Sequence, residues 1–255
     1  MTEDVTVAIS DRVAQIVLDR PQKHNAMTRK MISALANVCL QIERDDAVRA
    51  VLIKGAGDRA FSSGSDLNTL AEYPSAWAFR NRVSYEDLVR RIKKPVVAAL
   101  KGWVLGGGGE MALAADIRVA GRSAKIGFPE VTRGWVGGGG ASQMLPRLVG
   151  YGQAMRLLLT GEPIDAEEAY RLGLVEFLVE DSEVEAKAMA LCRKIADFSP
   201  VAVQSVKASV RMALSSSLDS GLRYENEMNA LCFSAGDHME GIEAFREGRT
   251  AKFKR

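Results

Sequence analysis

The chain has 255 residues, of which 47% are hydrophobic and 26% are charged, a composition typical of a folded globular protein. Its 34 Lys and Arg residues nearly balance its 32 Asp and Glu residues, and the net charge of +2 comes without a basic block. This balance argues against a nucleic-acid or anionic-membrane partner, and the apolar runs are too short to span a bilayer.

The first half of the chain alternates strand-like and helix-like patterns. Thr28 is a suitable N-cap for a helix whose apolar face is formed by Met31, Leu35, Val38 and Ile42. A second helix is expected over residues 84–93, with Leu88, Val89 and Ile92 facing inward and Pro95 following it. Strands are predicted at residues 5–9, 13–18, 51–53, 96–100, 117–120 and 125–127.

After Gly140 the pattern becomes mostly helical, with short helices predicted at 142–149, 152–159 and 165–172 and a last strand at 175–179. Ser182 and Glu185 match a capping box for a helix whose apolar face would contain Val184, Ala188, Leu191 and Ile195. Two or three further helices are expected between residues 200 and 253. The chain is therefore predicted to have a core at 1–195 and a helical region at 196–255 that packs on the core and on neighbouring subunits.

The cysteine and histidine counts narrow the chemistry. Three widely spaced cysteines with no C-x-x-C pair predict reduced thiols in a cytoplasmic protein, without a disulfide or a zinc framework. The acidic start, Met1-Thr2-Glu3-Asp4, is unlike the basic start of a signal peptide. His24 and His238 are the only histidines and no serine lies in a G-x-S-x-G motif, which argues against a nucleophile-elbow hydrolase. Acid–base chemistry is therefore expected from carboxylates.

Eight of the 23 glycines form two runs, at residues 106–109 and 137–140. The first run follows an apolar strand and precedes Glu110, which begins a helical pattern. Glycines at a helix N-terminus leave backbone N–H groups open to an anion, or to an oxygen that becomes anionic during a reaction. A tight turn with close backbone packing is the alternative interpretation of this run.

The same glycines also satisfy the spacing of a dinucleotide-binding fingerprint. Gly107-x-Gly109-x-x-Ala112 has the G-x-G-x-x-A form, and Glu130 follows at roughly the distance of a ribose contact. The motif starts several residues beyond the strand, however, and it places the charge of Glu110 where a pyrophosphate would bind. A dinucleotide-dependent oxidoreductase therefore stays an alternative that the spacing alone supports weakly.

Glu110 and Glu130 form a more coherent pair, because each lies beside a glycine-rich stretch. A carboxyl group in an apolar, glycine-lined pocket has a raised pKa and exchanges protons near neutral pH. Two such groups facing one substrate supply an acid and a base without a histidine.

Residues 60–67 provide a second turn built from small residues, before a helix expected to start at Asp66. A free N–H group is therefore expected at Ser65. Two backbone donors from different strand–helix junctions are what an oxyanion hole requires. The serines of this segment have no nearby histidine or lysine base, so turn and capping roles are expected for them.

These segments resemble the crotonase (enoyl-CoA hydratase/isomerase) superfamily, in family order and spacing from about Asp19 to Phe253. The resemblance is carried by segments 19–21, 25–26, 61–67, 94–99, 106–110, 128–130, 159–161, 166–169, 173–175 and 240–245. It implies an α/β crotonase (ClpP-like) fold of repeated β-β-α units with a helical C-terminal trimerisation region. It also implies an acyl-CoA thioester substrate, a homotrimer or dimer of trimers, and no cofactor or metal, since coenzyme A is part of the substrate.

The resemblance also implies roles for individual residues. The oxyanion hole falls on the backbone N–H groups of Ser65 and Gly107. Glu110 activates water for attack at Cβ and Glu130 delivers a proton to Cα, as in the two-glutamate hydratase subgroup. Contacts with the substrate or its coenzyme A part fall on Lys23, His24, Ala26, Ser63, Asp66, Leu67 and Gly106.

The sequence departs from the family pattern at a few positions. Ser65 replaces a common alanine, Gly137 a common proline and Trp103 a common tyrosine. Trp103 and Trp135 are expected in the core, although either one is able to reshape the acyl pocket.

The sequence thus favours an enoyl-CoA hydratase, a hydro-lyase that reversibly adds water to a 2-enoyl-CoA in the syn sense. The alternatives within the family are an enoyl-CoA isomerase that uses Glu130 alone and another acyl-CoA lyase. A catalytically silent CoA-binding protein is the non-enzyme alternative, and both retained glutamates argue against it.

Overall fold

The computed structural model describes residues 4–253, so the first three residues of the acidic N-terminal segment and the outer ends of both predicted regions lie outside it. The described strands are β1 (Val5–Ser10), β2 (Val13–Leu18), β3 (Ala50–Gly55), β4 (Ala60–Ser62), β5 (Val96–Leu100), β6 (Trp103–Leu105), β7 (Ile117–Gly121), β8 (Lys125–Gly127), β9 (Ile164–Asp165) and β10 (Phe177–Val179). All six strands predicted in the first half are present, and β4, β6 and β9 were not predicted.

Helices follow most of these strands. They are α1 (Arg29–Arg44), α2 (Leu67–Ala71), α3 (Ala76–Arg80), α4 (Tyr85–Arg91), α5 (Gly107–Ala114), α6 (Ala141–Val149), α7 (Tyr151–Thr160), α8 (Ala166–Arg171), α9 (Val184–Ala196), α10 (Pro200–Ala213), α11 (Leu218–Ala235) and α12 (Asp237–Glu247). None of them, within residues 4–253, combines the length and the hydrophobicity needed to cross a bilayer.

The strands form two sheets, and from β3 to β8 successive strands of the chain alternate between them. The larger sheet has the order β1-β2-β3-β5-β7-β10, and the smaller one has the order β4-β6-β8-β9. Each of the pairs β3/β4, β5/β6 and β7/β8 therefore sends its first strand to the large sheet and its second strand to the small sheet before a helix follows. This alternation is the repeated β-β-α unit that the sequence predicted.

The small sheet determines where the candidate site forms. Strands β4, β6 and β8 are parallel to one another, so their carboxyl ends lie at the same edge of the sheet. The segments that leave these ends are residues 63–66, 106–110 and 128–130, which the sequence analysis selected for their chemistry. Parallel pairing thus brings together segments that are far apart in the chain.

Helix α1 begins as predicted, with the Thr28 side chain accepting a hydrogen bond from the Met31 N–H. Its buried face contains Met31, Leu35 and Ile42, but Cys39 is buried in place of Val38, which is half-buried at the edge of the core. The three cysteines form no disulfide within residues 4–253, and their redox state stays a prediction.

Helix α9 differs from its prediction at its start and on its buried face. Ser182 lies in a 3-10 turn, Asp181–Glu183, so α9 begins at Val184 without a side-chain cap and the capping-box prediction is wrong. Cys192 and Ala196 are fully buried against the large sheet, whereas Leu191 and Ile195 are half-buried. Small residues on this face allow the helix to lie close to strands β3, β5 and β7.

The helical C-terminal region follows α9, whose last turn contains the predicted boundary between residues 195 and 196. Helices α10, α11 and α12 fill most of the described remainder. The division of the chain into a core and a helical region stays a prediction.

Asn25 joins the loop after β2 to the turn between β3 and β4. Its side-chain amide donates hydrogen bonds to the carbonyl groups of Ala56 (3.1 Å) and Ala60 (2.8 Å), and its side-chain oxygen accepts one from the Arg20 N–H (2.9 Å). Asn25 is fully buried and has a φ of +53°, a conformation that asparagine tolerates better than most residues. It therefore fixes the loop on which the Ser65 segment rests.

We expect Asn25→Asp to lower the free energy of unfolding by about 2–4 kcal/mol, because a carboxylate cannot donate to the two carbonyl groups and is buried without a cation. Equilibrium urea unfolding at fixed protein concentration measures this change. Asn37→Asp, at an exposed position on α1, is the matched control and should change stability by less than about 0.5 kcal/mol. Equal stability of the two variants would contradict the role assigned to Asn25.

Candidate active site

A cavity of about 450 Å³ lies at the carboxyl ends of β4, β6 and β8. Its wall includes the turn at residues 63–67, the start of α5 and the 3-10 turn Pro129–Arg133. The cavity also extends beneath α2 and α3, where Tyr73 and Phe79 provide aromatic surface. A cavity with one apolar end and convergent polar groups at the other is typical of a small-molecule site.

Two backbone N–H groups face this cavity without a protein acceptor. Gly107 is the first residue of α5, so its N–H has no partner within the helix, and the Ser65 N–H is likewise unbonded within residues 4–253. The neighbouring backbone is fixed, because the Gly64 carbonyl accepts from Met27 and the Asp66 N–H donates back to Met27.

Close packing at Gly64 makes these two donors neighbours. A Cβ atom on Gly64 would lie 2.9 Å from the Gly107 nitrogen, closer than real side chains approach, and Gly64 has a φ of +88°. Glycine is therefore required here for steric and conformational reasons alike. The arrangement places the N–H groups of Ser65 and Gly107 where a single oxygen can accept from both.

Glu110 lies one helical turn after Gly107 and is 3% exposed. Its Oε1 atom accepts hydrogen bonds from the N–H groups of Gly139 (2.9 Å) and Ala141 (3.0 Å). The second glycine run therefore binds this carboxylate directly. A Cβ atom on Gly137 would lie 2.6 Å from the same oxygen, which explains why the run has no side chains there.

Glu130 lies across the cavity in the 3-10 turn. Its Oε2 atom is buried without a hydrogen-bond partner among the described residues, and its Oε1 atom lies 3.4 Å from the position of a Cβ on Gly106. Burial raises the pKa of Glu130, the charge of Glu110 raises it further, and Arg133 opposes the shift. A backbone hydrogen bond at Glu130 also lowers the pKa, so only the Oε2 atom is left free to exchange a proton with a ligand.

The remaining residues predicted to contact substrate mostly line the same cavity; these are Lys23, Ala26, Ser63, Asp66, Leu67 and Gly106. Asp66 also caps α2 and forms an ion pair with Arg20 at 2.7 Å. His24 does not line the cavity: its ring Nε2 atom lies 2.9 Å from Arg59. Substrate contacts at all of these positions stay predictions.

The expectation that Trp103 and Trp135 lie in the core is wrong for the chain by itself. Trp103 is 41% exposed, because it lies on the face of β6 opposite the buried Val104. Trp135 is 45% exposed and lines the cavity, with its ring centroid 5.2 Å from that of Phe79. Trp135 therefore contributes to the cavity wall, which was the alternative interpretation.

Two further residues at the start of α4, Tyr85 and Glu86, are buried and line the cavity, although the sequence did not predict them as site residues. The Tyr85 hydroxyl lies 3.0 Å from Ser65 Oγ. The spacing of Tyr85 from the inward-facing Val89 and Ile92 could have revealed it. Glu86 gave no signal, because a glutamate in a first helical turn is usually exposed.

Comparisons with a family model and with individual proteins identify the same family over most of the chain. The family model described as enoyl-CoA hydratase/isomerase matches residues 8–255. The chain is 36% identical to a short-chain-enoyl-CoA hydratase of Clostridium acetobutylicum over 93% of its own length and 92% of that protein's. It is 33% identical to a crotonyl-CoA hydratase of Syntrophomonas wolfei, with 98% of each chain covered.

The fold agrees with a solved structure as well. The crystal structure of an enoyl-CoA hydratase from Bacillus anthracis superposes with a TM-score of 0.93 and 34% identity, covering 98% of this chain and 99% of that one. This agreement confirms the predicted fold class.

Glu86 provides a test of the electrostatics of the cavity. Burial, and then the charge of Glu110, raise the pKa of Glu86 to about 7. A raised pKa means that the folded chain holds the proton more tightly than the unfolded chain, so the wild type loses stability as pH rises from the unfolded pKa through about 7. We expect Glu86→Gln to raise the free energy of unfolding by about 2–3 kcal/mol at pH 8 and to change it little at pH 4.

Urea unfolding at the two pH values measures this difference. Glu162→Gln, at an exposed glutamate, is the matched control and should have little effect at either pH. A stabilisation of Glu86→Gln that is the same at both pH values would contradict the electrostatic cause.

Proposed function

The chain belongs to the enoyl-CoA hydratase/isomerase family, and we propose that it catalyses the reversible syn addition of water across the 2,3 double bond of a 2-enoyl-CoA thioester. The observation that carries this proposal is the convergence of two carboxyl groups, Glu110 and Glu130, on one cavity that also contains two unbonded backbone N–H groups. Such a set provides a base, an acid and an oxyanion hole for one substrate.

The thioester carbonyl accepts hydrogen bonds from the N–H groups of Ser65 and Gly107. These donors withdraw electron density from the conjugated double bond and make Cβ electrophilic. When water adds at Cβ, the negative charge moves to the thioester oxygen as an enolate, and the same two donors stabilise it. Because the donors are fixed by the packing of two backbone segments, they need little reorganisation as the charge develops.

Glu110 acts as the base toward water. Its Oε1 atom is held by two backbone N–H groups, which stabilise a carboxylate, and its side chain lines the cavity. Glu110 takes one proton from the water as the oxygen bonds to Cβ. The product then carries the hydroxyl group at Cβ.

Glu130 acts as the acid toward Cα. Its unbonded Oε2 atom and the upward shift of its pKa, caused by burial, favour the acid role. It gives its proton to Cα as the enolate collapses, and the proton held by Glu110 restores the initial state through solvent. Syn addition requires that both carboxyl groups act on the same face of the double bond.

Coenzyme A is bound as part of the substrate, with no further cofactor or metal, in contact with Lys23, His24, Ala26, Ser63, Asp66, Leu67 and Gly106. An isomerase would need Glu130 alone, whereas the backbone contacts that fix Glu110 favour the hydratase.

The match to the enoyl-CoA hydratase/isomerase family over residues 8–255 argues against the alternative of a dinucleotide-dependent oxidoreductase. A cytoplasmic location stays a prediction from the sequence.

A homotrimer or a dimer of trimers is also part of the proposal. The C-terminal helices carry large apolar side chains that are mostly exposed in the single chain: Val206, Val210, Leu218, Leu222, Leu231, Phe233 and Phe245. Exposed large apolar side chains in such number are typical of a protein interface. The helical region thus has a surface suited to packing on neighbouring subunits.

We expect Glu110→Gln and Glu130→Gln each to lower kcat for crotonyl-CoA hydration by about 10²–10⁴-fold, because each amide removes one proton-transfer group. The loss of enoyl absorbance measures turnover, and calorimetric titration with a saturated acyl-CoA should show binding within about threefold of the wild type. Glu162→Gln is the control for loss of a carboxylate at an exposed position. Near-wild-type turnover in both active-site variants would refute the two-carboxylate mechanism.

The assembly is tested by sedimentation equilibrium. We expect a mass about three or six times that of the 27.6 kDa chain. Phe245→Asp, at a side chain that is 87% exposed on α12, should shift the population toward monomer, because a charge would be buried in the interface. Leu40→Asp, at an exposed leucine on α1, should leave the assembly unchanged, and a monomeric wild type would contradict the proposal.

A further inference from the structure

The cavity contains a third buried carboxyl group, Glu86, that the proposed mechanism does not use. Glu86 lies in the first turn of α4 and is 6% exposed. It forms no ion pair within residues 4–253. Its polar side-chain neighbours are the neutral hydroxyl groups of Ser84, which donates to Oε2 at 2.8 Å, and of Tyr85.

Glu86 and Glu110 meet at Gly139. The Cδ atom of Glu86 lies 2.5 Å, and the Oε2 atom of Glu110 2.7 Å, from the position that a Cβ on Gly139 would take. The two carboxyl groups are thus neighbours, separated only by the space that the missing side chain leaves. Two adjacent buried carboxyl groups without a cation cannot both be ionised at low cost, so one of them holds a proton.

Hydrogen bonding decides which group holds the proton. Glu110 accepts from two backbone N–H groups, an arrangement that stabilises a carboxylate. Glu86 also accepts hydrogen bonds, from the Ser84 and Tyr85 hydroxyl groups and from its own backbone N–H, but burial and then the charge of Glu110 outweigh these contacts. The proton therefore belongs on Glu86, whose pKa is raised to about 7.

The other titratable or charged groups around Glu86 do not neutralise it. The Tyr85 hydroxyl has a pKa raised well above its ordinary value by burial, so it stays neutral. Arg82, on the loop before α4, stacks on the Phe79 ring at 3.9 Å and donates to the Phe79 carbonyl. Glu130 shares the cavity and adds no positive charge.

We infer that Glu86 is a positioning residue that works in its protonated form, as a neutral neighbour that leaves the Glu110 carboxylate as the single negative charge at Gly139. This inference rests on the proposed hydratase function. With Glu86 neutral, no second charge repels the carboxylate that activates water or displaces it from its contacts with Gly139 and Ala141. The Oε1 atom of Glu86 also lies 2.7 Å from the position of a Cβ on Gly107, next to the proposed oxyanion hole.

Loss of the Glu86 proton therefore has a definite consequence. A second negative charge beside Gly107 repels the enolate oxygen as it forms, and it also repels the Glu110 carboxylate. Hydration should accordingly slow as pH rises through about 7. The acyl part of the substrate enters the same cavity and removes more water, which strengthens both effects.

The test compares pH profiles of kcat for crotonyl-CoA hydration in the wild type, Glu86→Gln and Glu86→Leu. We expect the wild type to fall at least about tenfold between about pH 6 and pH 8.5. Glu86→Gln is neutral at every pH, so it should stay within about threefold of the wild type at pH 6. Its alkaline decline should be smaller than that of the wild type, because only the loss of the Glu130 proton then remains. Glu86→Leu is also neutral at every pH and should show the same smaller decline.

Glu162→Gln should keep the wild-type profile, and far-UV circular dichroism reports whether each variant is folded. An alkaline decline in Glu86→Gln equal to that of the wild type, or a wild-type profile that is flat through this range, would overturn the inference and leave the hydratase function standing. If Glu86→Leu does not fold, the comparison of Glu86→Gln with the wild type decides alone. Absence of hydration in the wild type would overturn the proposed function and this inference together.

Discussion

The close approach of two strand–helix junctions is the constraint on which the site depends. The turn after β4 packs against the start of α5 backbone to backbone, and a Cβ atom at Gly64 would collide with the Gly107 nitrogen. Removing side chains from this contact leaves two N–H groups without partners and aims them at the same space. The two free donors, and the position of the Glu110 carboxylate near the start of α5, thus depend on this one backbone contact.

The second constraint is electrostatic. Glu86, Glu110 and Glu130 share one cavity, and none of them forms an ion pair within the described part of the chain. Backbone N–H donors to Glu110 offset part of this concentration of acidity, and burial raises the pKa of each of the other two groups. Different environments for similar carboxyl groups are how a site divides the roles of base and acid.

Much of the fold and part of the site could be predicted from the sequence. Local sequence patterns determine the long buried strands, the helix after Thr28 and the chemistry of residues 106–110. These features could therefore be predicted from the sequence. The short strands β4 and β6 have three residues each, too few for a period to appear. Glu86 looked like an ordinary exposed helix residue, because only α5 and the second glycine run bury it.

The sequence by itself determined the family, the repeated β-β-α order and the two glutamates, because these depend on residue types at fixed spacing. Tertiary structure alone decided that the parallel strands of the small sheet bring residues 63–66, 106–110 and 128–130 to one edge. It also decided that the second glycine run binds Glu110 and that Glu86 faces it across Gly139. Burial and proximity across distant segments set these charges, and neither is encoded at any single position of the chain.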